Sequence, residues 1–274
     1  MTINLDNHII AKKIISNKIK IHVTKKSTST NEEIKQLPLT ANISDVLLAE
    51  YQSQGKGRPT KSWHSPAHSN ILLSQRHQIT RDMSGLSLVI GLAVRATIEQ
   101  ALTDHKHIKN CIKVKWPNDI MANSQKIAGI LIEAEQKNKN QYAIIGIGLN
   151  VNMTTATTAD INQPWTSMSL LSHTKHNRNL LAARLINNLN TYINNFNNNG
   201  LTYFSNEWLQ HDYLIGSNIT LTNGSKATTG TSNGINDRGH LVITSSDDKQ
   251  HVFATGSISK EHRANDILNT TNKP

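Results

Sequence analysis

Asp45-Val46-Leu47-Leu48-Ala49-Glu50-Tyr51-Gln52-Ser53-Gln54-Gly55-Lys56-Gly57-Arg58 begins as one kind of structure and ends as another. The apolar run 46–49 reads as a buried strand. The residues after it, Gly55-Lys56-Gly57-Arg58-Pro59-Thr60-Lys61-Ser62-Trp63-His64-Ser65-Pro66, form a turn-rich basic stretch. Such a stretch can offer backbone N–H groups and several cations to a polyphosphate. A cationic loop is therefore held at the end of a buried strand.

Working outward, residues 21–24 read as a short strand leading into a polar loop at 27–31. Residues 70–74 form another apolar run. Over 84–102 the apolar residues Leu86, Val89, Ile90, Ala93, Val94, Thr97 and Ala101 recur at helical spacing, predicting a helix buried against a sheet. Strands follow at 112–116, 129–133 and 143–148, the last two as a hairpin around the turn at 137–141. The Thr- and Asn-rich interval 151–164 is long and polar, which suits a lid. A second amphipathic helix carries Leu181, Leu185, Leu189, Ile193 and Phe196 on one face, with Gly200 as its stop. From Ile215 on, the texture changes to short strands at 219–221, 228–234, 241–243 and 252–254, the pattern of a small β-barrel. An α/β body followed by a β unit beginning near Tyr213 is expected, with a loose tail at 266–274.

Composition sets limits on function. The chain has 274 residues, 36% of them hydrophobic, which is enough for one sizeable core and a small second unit. The apolar stretch 86–94 is far shorter than the ~20 residues that cross a bilayer, and Lys12 and Lys13 interrupt any apolar leader. A cytoplasmic protein is expected. One cysteine, Cys111, excludes an internal disulfide; it reads as inert and half-buried. The net charge is +10, and residues 1–28 hold six lysines (12, 13, 18, 20, 25, 26) against Asp6, half of that excess. The segment reads as the solvated face of a short helix, since 28 residues leave little room for a helix-turn-helix.

Rival motif readings fail on chemistry. Residues 55–62 nearly satisfy the P-loop pattern, but Thr60 stands where its second glycine belongs and Pro66 stops the helix that must follow. Gly146-Ile147-Gly148 begins a dinucleotide fingerprint that Val151 ends without a third glycine. His64 and His68 are four apart, yet Pro66 between them breaks the helix that would align them on a metal.

Three further motifs, Lys115-Trp116-Pro117-Asn118-Asp119, Lys126-Ile127-Ala128-Gly129-Ile130 and Gly146-Ile147-Gly148-Leu149-Asn150, are each ambiguous alone. With the glycine-rich loop, in this order, they resemble the biotin protein ligase family. The likeness runs from Ser29 to Trp165 and continues more weakly through the C-terminal strands. The family's opening Ser-Thr-Asn is Ser29-Thr30-Asn31, its Glu-Tyr-Gln is Glu50-Tyr51-Gln52, and Trp165 resembles the tryptophan that closes its adenine-binding segment. The fold implied is α/β (α+β). It comprises a central mixed β-sheet catalytic unit over 1–212, similar to class II aminoacyl-tRNA synthetases, with a basic extension at 1–28. An SH3-like β-barrel over 213–265 completes it.

The resemblance implies a two-step reaction. Biotin attacks the α-phosphate of ATP to give biotinyl-AMP, and the lysine of a biotin carboxyl carrier protein of acetyl-CoA carboxylase then attacks the adenylate. Ser29, Thr30, Asn31, Gln52, Gly55, Lys56, Gly57, Arg58, Lys126 and Gly129 would hold biotin. Lys56, Arg58, Trp63, Asn118, Lys126, Gly148, Asn150 and Trp165 would hold the nucleotide. Lys126 and Arg58 would stabilise charge together with Mg²⁺, whose ligands the sequence leaves open. Asp119 would help the lysine lose its proton or position adenylate or metal. Where the family commonly has Gly-Arg-Gly-Arg-Arg-Gly-Arg, this chain has Lys56, Pro59, Thr60 and Lys61. Lost guanidinium forks predict looser retention of the adenylate. With no DNA-binding domain before Ser29, specific DNA binding is not expected, and monomer and homodimer both remain open. A lipoate-type ligase and a basic nucleic-acid-binding protein are the alternatives.

Overall fold

The computed structural model describes residues 3–40, 42–58, 61–105, 108, 110–155, 161 and 163–260. Pro59 and Thr60, part of the expected lid (156–160 and 162) and the expected tail lie outside them. In chain order the elements are α1 (Asn7–Ala11), β1 (Ile19–Thr24), α2 (Thr30–Gln36), β2 (Ser44–Ala49), β3 (Ile71–Ile79), α3 (Leu86–Ala101), β4 (Ile112–Lys115), β5 (Asp119–Ala122), β6 (Gln125–Lys137) and β7 (Asn140–Leu149). Helices α4 (Met168–Ser172), α5 (Arg178–Asn199) and α6 (Ser205–His211) follow, then strands β8 (Asn218–Asn223), β9 (Lys226–Ile235), β10 (Leu241–Thr244), β11 (Gln250–Phe253) and β12 (Ser257–Lys260).

Seven strands make one mixed sheet in the order β1-β2-β3-β7-β6-β5-β4. Only β1 and β2 run parallel; the other neighbours are antiparallel. Helix α3 is buried nearly all round, from Leu86 to Ile98, as its apolar circumference predicts. It packs with α5 against one face of the sheet, while α2 covers part of the other through Ile34, Leu47 and Ile144. The five remaining strands form a separate antiparallel sheet, β11-β10-β9-β8-β12. Among the described residues no helix is long and apolar enough to cross a membrane.

Several expectations are corrected. The loop expected at 27–31 gives way to α2 at Thr30: Ser29 is extended at the N-cap, and the Glu33 carboxylate accepts from the Thr28 N–H at 3.0 Å, which ties the residue before the cap to the first turn. Strands β5 and β12 were not expected. The basic segment is no appendage: Leu5 and Ile10 are buried, and β1 is a strand of the large sheet. Val151 and Met153, in the stretch read as a polar lid, are buried too. Cys111 is half-buried, and burial pushes its thiol up, away from the reactive thiolate.

The two sheets meet at a titratable junction. Tyr213 N donates to Val114 O at 2.9 Å, and the Asp212 carboxylate accepts from Leu214 N at 2.8 Å. Burial pushes the Asp212 carboxyl up to about 6, against the opposing pull of that hydrogen bond. The folded state therefore disfavours ionisation. The cost is absent below about pH 4, complete above about pH 6, and on the order of 3 kcal/mol. Neighbouring His211 is pulled down to about 4 by burial, then by Arg95 and Lys113, so its cost grows in the opposite direction, as pH falls from 6.5. Asp212→Asn keeps the acceptor and removes the charge. Urea unfolding is expected to show it more stable than the parent above pH 6, with the difference gone below pH 4.

Candidate active site

The site is built on missing side chains. Along β7 one face carries Ala143, Ile145, Ile147 and Leu149, which join the main core, whereas the other carries Ile144, Gly146 and Gly148. Register places Gly129 of β6 opposite Gly148. The result is a bare floor beyond the edge of α2. A Cβ on Gly129 would come within 2.9 Å of the Trp63 ring, one on Gly148 within 2.6 Å of its Nε1, and one on Gly146 within 3.0 Å of the Asn31 amide carbon. Strand glycines of this kind mark a close approach.

Over this floor lies a cavity of about 470 Å³. One wall is the N-terminus of α2 with Ser29, Thr30 and Asn31. Thr30 N and Oγ1 both donate to Gln52 Oε1, at 2.7 and 2.9 Å. Ser74 Oγ lies 2.7 Å from Thr30 Oγ1 and 2.5 Å from Asn31 Oδ1, while Asn31 Nδ2 donates to Glu133 Oε2 at 2.7 Å. Lys35 donates to the other Glu133 oxygen at 2.8 Å. Burial pulls the Lys35 ammonium down, but Glu133 and Glu32 outweigh it and leave the group raised. Such a network fixes which way each amide faces.

The opposite wall is the glycine-rich loop, folded on itself. Gly57 N donates to Lys61 O at 2.9 Å and Trp63 N to Gly55 O at 2.8 Å, with Lys56 and Ser62 bridged. Lys56 turns outward to Glu32 at 2.6 Å, and this ammonium is the main cause holding the Glu32 carboxyl low, with burial opposing. Arg58 Nη1 donates to Gly256 O, in the turn between β11 and β12 of the small sheet, at 2.7 Å. Trp63 lies on the glycine floor. Lys126 Nζ sits 5.5 Å from the Trp63 ring centroid, a cation–π distance, and 2.7 Å from Asp119 Oδ1.

The third side is made by the turn at 117–118 and the segment around Trp165. Asn118 Nδ2 donates to Ile130 O at 2.7 Å, and Ile130 N returns a bond to Asn118 O. Lys126 N donates to Pro164 O and Thr166 N to Lys126 O, so Trp165 is laid beside the lysine's strand. Asn150 Nδ2 donates to Thr166 O at 3.0 Å.

Of the residues singled out in the sequence, Ser29, Thr30, Asn31, Gln52, Lys56, Gly57, Arg58, Trp63, Asn118, Asp119, Lys126, Gly129, Gly148, Asn150 and Trp165 all line this cavity. Gly55 does not. A side chain there would meet Gln52 Nε2 at 3.2 Å and the Trp63 carbonyl, so its place is in closing the loop. His64 and His68 go to different partners, Ser62 and Glu50. Sequence reasoning missed Ser74 and Glu133, which orient Asn31, and the liners Met153 and Gln163. Ser74 had a signal, a hydroxyl inside the apolar run 71–74; Glu133 had none, because its partner is remote in the chain.

Residues 21–150 match the Biotin/lipoate A/B protein ligase family, and residues 214–260 match the Biotin protein ligase C terminal domain. The biotin--[acetyl-CoA-carboxylase] ligase of Mycobacterium tuberculosis is 30% identical over 237 residues, 81% of this chain and 82% of the relative. The chain belongs to the biotin protein ligase family. The bifunctional ligase/repressor BirA of Salmonella typhimurium is 33% identical over 219 residues, 78% of this chain; the match spans 66% of that protein's length. Among solved structures, the family member from Aquifex aeolicus in complex with biotin and ATP superposes with a TM-score of 0.75 at 22% identity, covering 88% of this chain and 99% of that one. That likeness shows a shared biotin protein ligase fold.

Proposed function

We propose that the chain joins biotin to the lysine of a biotin carboxyl carrier protein through biotinyl-AMP. The observation that supports it most is the meeting of Lys126, Arg58, Trp63 and Trp165 around one glycine-floored cavity, in a chain whose relatives from Mycobacterium tuberculosis and Paracoccus denitrificans are named biotin--[acetyl-CoA-carboxylase] ligases. The floor and the Trp63 indole suit an apolar bicycle, and the Ser29–Thr30–Asn31 and Gln52 wall suits its urea edge. In the first step a biotin carboxylate oxygen attacks the α-phosphorus and pyrophosphate leaves. Lys126 draws the two anions together, and Arg58 takes up charge spreading onto the phosphate oxygens. Asp119, the one acidic liner among the described residues, holds Lys126 in place.

Bound with the triphosphate, Mg²⁺ would supply neutralisation of its charge. Among the described residues no group of three His, Cys, Asp or Glu could hold an ion, which suits a cation held largely by phosphates and water. The acceptor is the carrier subunit of acetyl-CoA carboxylase, and the setting is cytoplasmic. ATP–pyrophosphate exchange is the test, with biotin and lipoate offered separately. Exchange that requires biotin is the expected result. No exchange with biotin would sink the proposal, and exchange with lipoate alone would assign the chain to lipoate transfer.

A further inference from the structure

The second step needs a base, and Asp119, which the motifs offer for it, is poorly placed to serve. A lysine attacks only after losing a proton, and its ordinary pKa is about 10.4. Asp119 is the carboxylate in the cavity, but it is paired with Lys126 at 2.7 Å. A carboxylate is also poorly matched to an amine, because its ordinary pKa of about 3.9 lies much further below the amine's than an imidazole's at about 6.5. Efficient general bases lie near the working pH.

His64 lines the same cavity, on the loop that carries Arg58 and Trp63. Its Nε2 lies 2.7 Å from Ser62 Oγ, and Ser62 lines the cavity too. The other ring nitrogen has no hydrogen-bond partner among the described residues. Both tautomers of this pair can take a proton. With Nε2 donating to Ser62, Nδ1 is the open acceptor; with Ser62 donating to Nε2, the hydroxyl oxygen receives the proton as its own passes to the ring. The charged groups lining the cavity with His64 are Lys56, Arg58 and Lys61 on its own loop, Asp119 on β5 and Lys126 on β6. The cations among them have no lone pair to offer. The imidazole of His64 is the nitrogen base of the set with an open ring position.

We propose that His64, with Ser62 as its relay, is a catalytic base that deprotonates the carrier lysine at the adenylate. This rests on the function proposed above. The ammonium gives one proton to the His64–Ser62 pair. Its nitrogen then attacks the carbonyl carbon of the mixed anhydride; the amide C–N bond forms, the C–O bond to AMP breaks, and the second amine proton leaves to solvent. His64 returns its proton to water for the next cycle.

The experiment mixes the full chain with synthetic biotinyl-AMP and a biotin carboxyl carrier domain, and follows transfer from pH 6 to pH 10. Three proteins are compared: the parent, His64→Gln and His64→Gly. Near pH 7, His64→Gln is expected to transfer on the order of a hundredfold more slowly than the parent. That deficit should shrink steadily toward pH 10, where the lysine sheds its proton unaided. Added imidazole should restore His64→Gly. A deficit of the same size at every pH, no deficit, or no rescue would overturn the assignment, since a purely structural role gives no pH-dependent gap. If the parent itself transfers no biotin, the proposed function falls and His64 with it. Transfer by the parent with an unchanged profile in His64→Gln removes His64 alone.

Discussion

Lys126→Ala is expected to lower biotin-dependent ATP–pyrophosphate exchange by about two to four orders of magnitude. The size follows from what the ammonium has to do. Carboxylate and triphosphate repel each other, and a fixed cation between them both orients the pair and stabilises the charge that grows as the phosphorus is attacked; removing one such group from a preorganised site costs about 10²–10³ in rate. Lys126 is fixed by its Asp119 pair and by the backbone bonds on either side, to Pro164 and from Thr166. The alanine variant leaves those backbone bonds intact, so a retained circular dichroism spectrum should accompany the loss. It also leaves Asp119 without its counter-charge beside incoming anions, which adds to the penalty. Exchange within tenfold of the parent would remove Lys126 from the centre of the chemistry.

Arg178→Ala is expected to destabilise the fold by about 3–5 kcal/mol, the loss found when one partner of a buried ion pair is deleted. Arg178 and Glu50 have side-chain exposures of 1% and 3% and meet at 2.6 Å, so the deletion leaves a buried carboxylate without its counter-charge. The same guanidinium donates to Ile3 O at 2.9 Å and Asn70 O at 3.3 Å, while Glu50 Oε1 accepts from Leu5 N at 2.5 Å. One pair thus joins the start of α5, the end of β2 and the first residues of the chain. Urea unfolding measures the loss, and the double variant Glu50→Leu/Arg178→Met should recover much of it, since a buried apolar pair leaves no charge unpaired. A loss below 1 kcal/mol in Arg178→Ala would show that the cluster does not hold these parts together.

These two sites differ in how far the sequence reveals them. The chemistry around Lys126 is legible because its partners are local: a lysine, a glycine three residues on and a Pro-Asn-Asp turn sit on one hairpin, and their spacing survives on paper. The strands at 129–133 and 143–148 are legible for the same reason, although each is longer in the fold. What stays hidden depends on distance along the chain. Arg178 meets Glu50 across 128 residues, and Glu133 meets Asn31 across 102, so neither carries a local mark. The start of α2 reads wrongly as loop although Ser29-x-x-Glu32, from the N-cap to the third helical position, is a capping signature in the sequence; the polar run 27–31 outweighs it. Strand β5 is four residues long and follows a turn, too short for an alternating pattern to show.

Arg58 bonding to Gly256 ties the economy of the glycine-rich loop to a turn of a sheet that supplies none of the cavity's lining among the described residues. A loop pinned this way surrenders part of its conformational freedom when the protein folds, so less is left to lose when a ligand arrives. Coupling of that sort works in both directions. Whatever loosens residues 254–258 weakens the hold on ligands some distance away, and whatever draws Arg58 toward a phosphate withdraws a support from the small sheet. Affinity in the cavity is thus partly a property of the C-terminal strands.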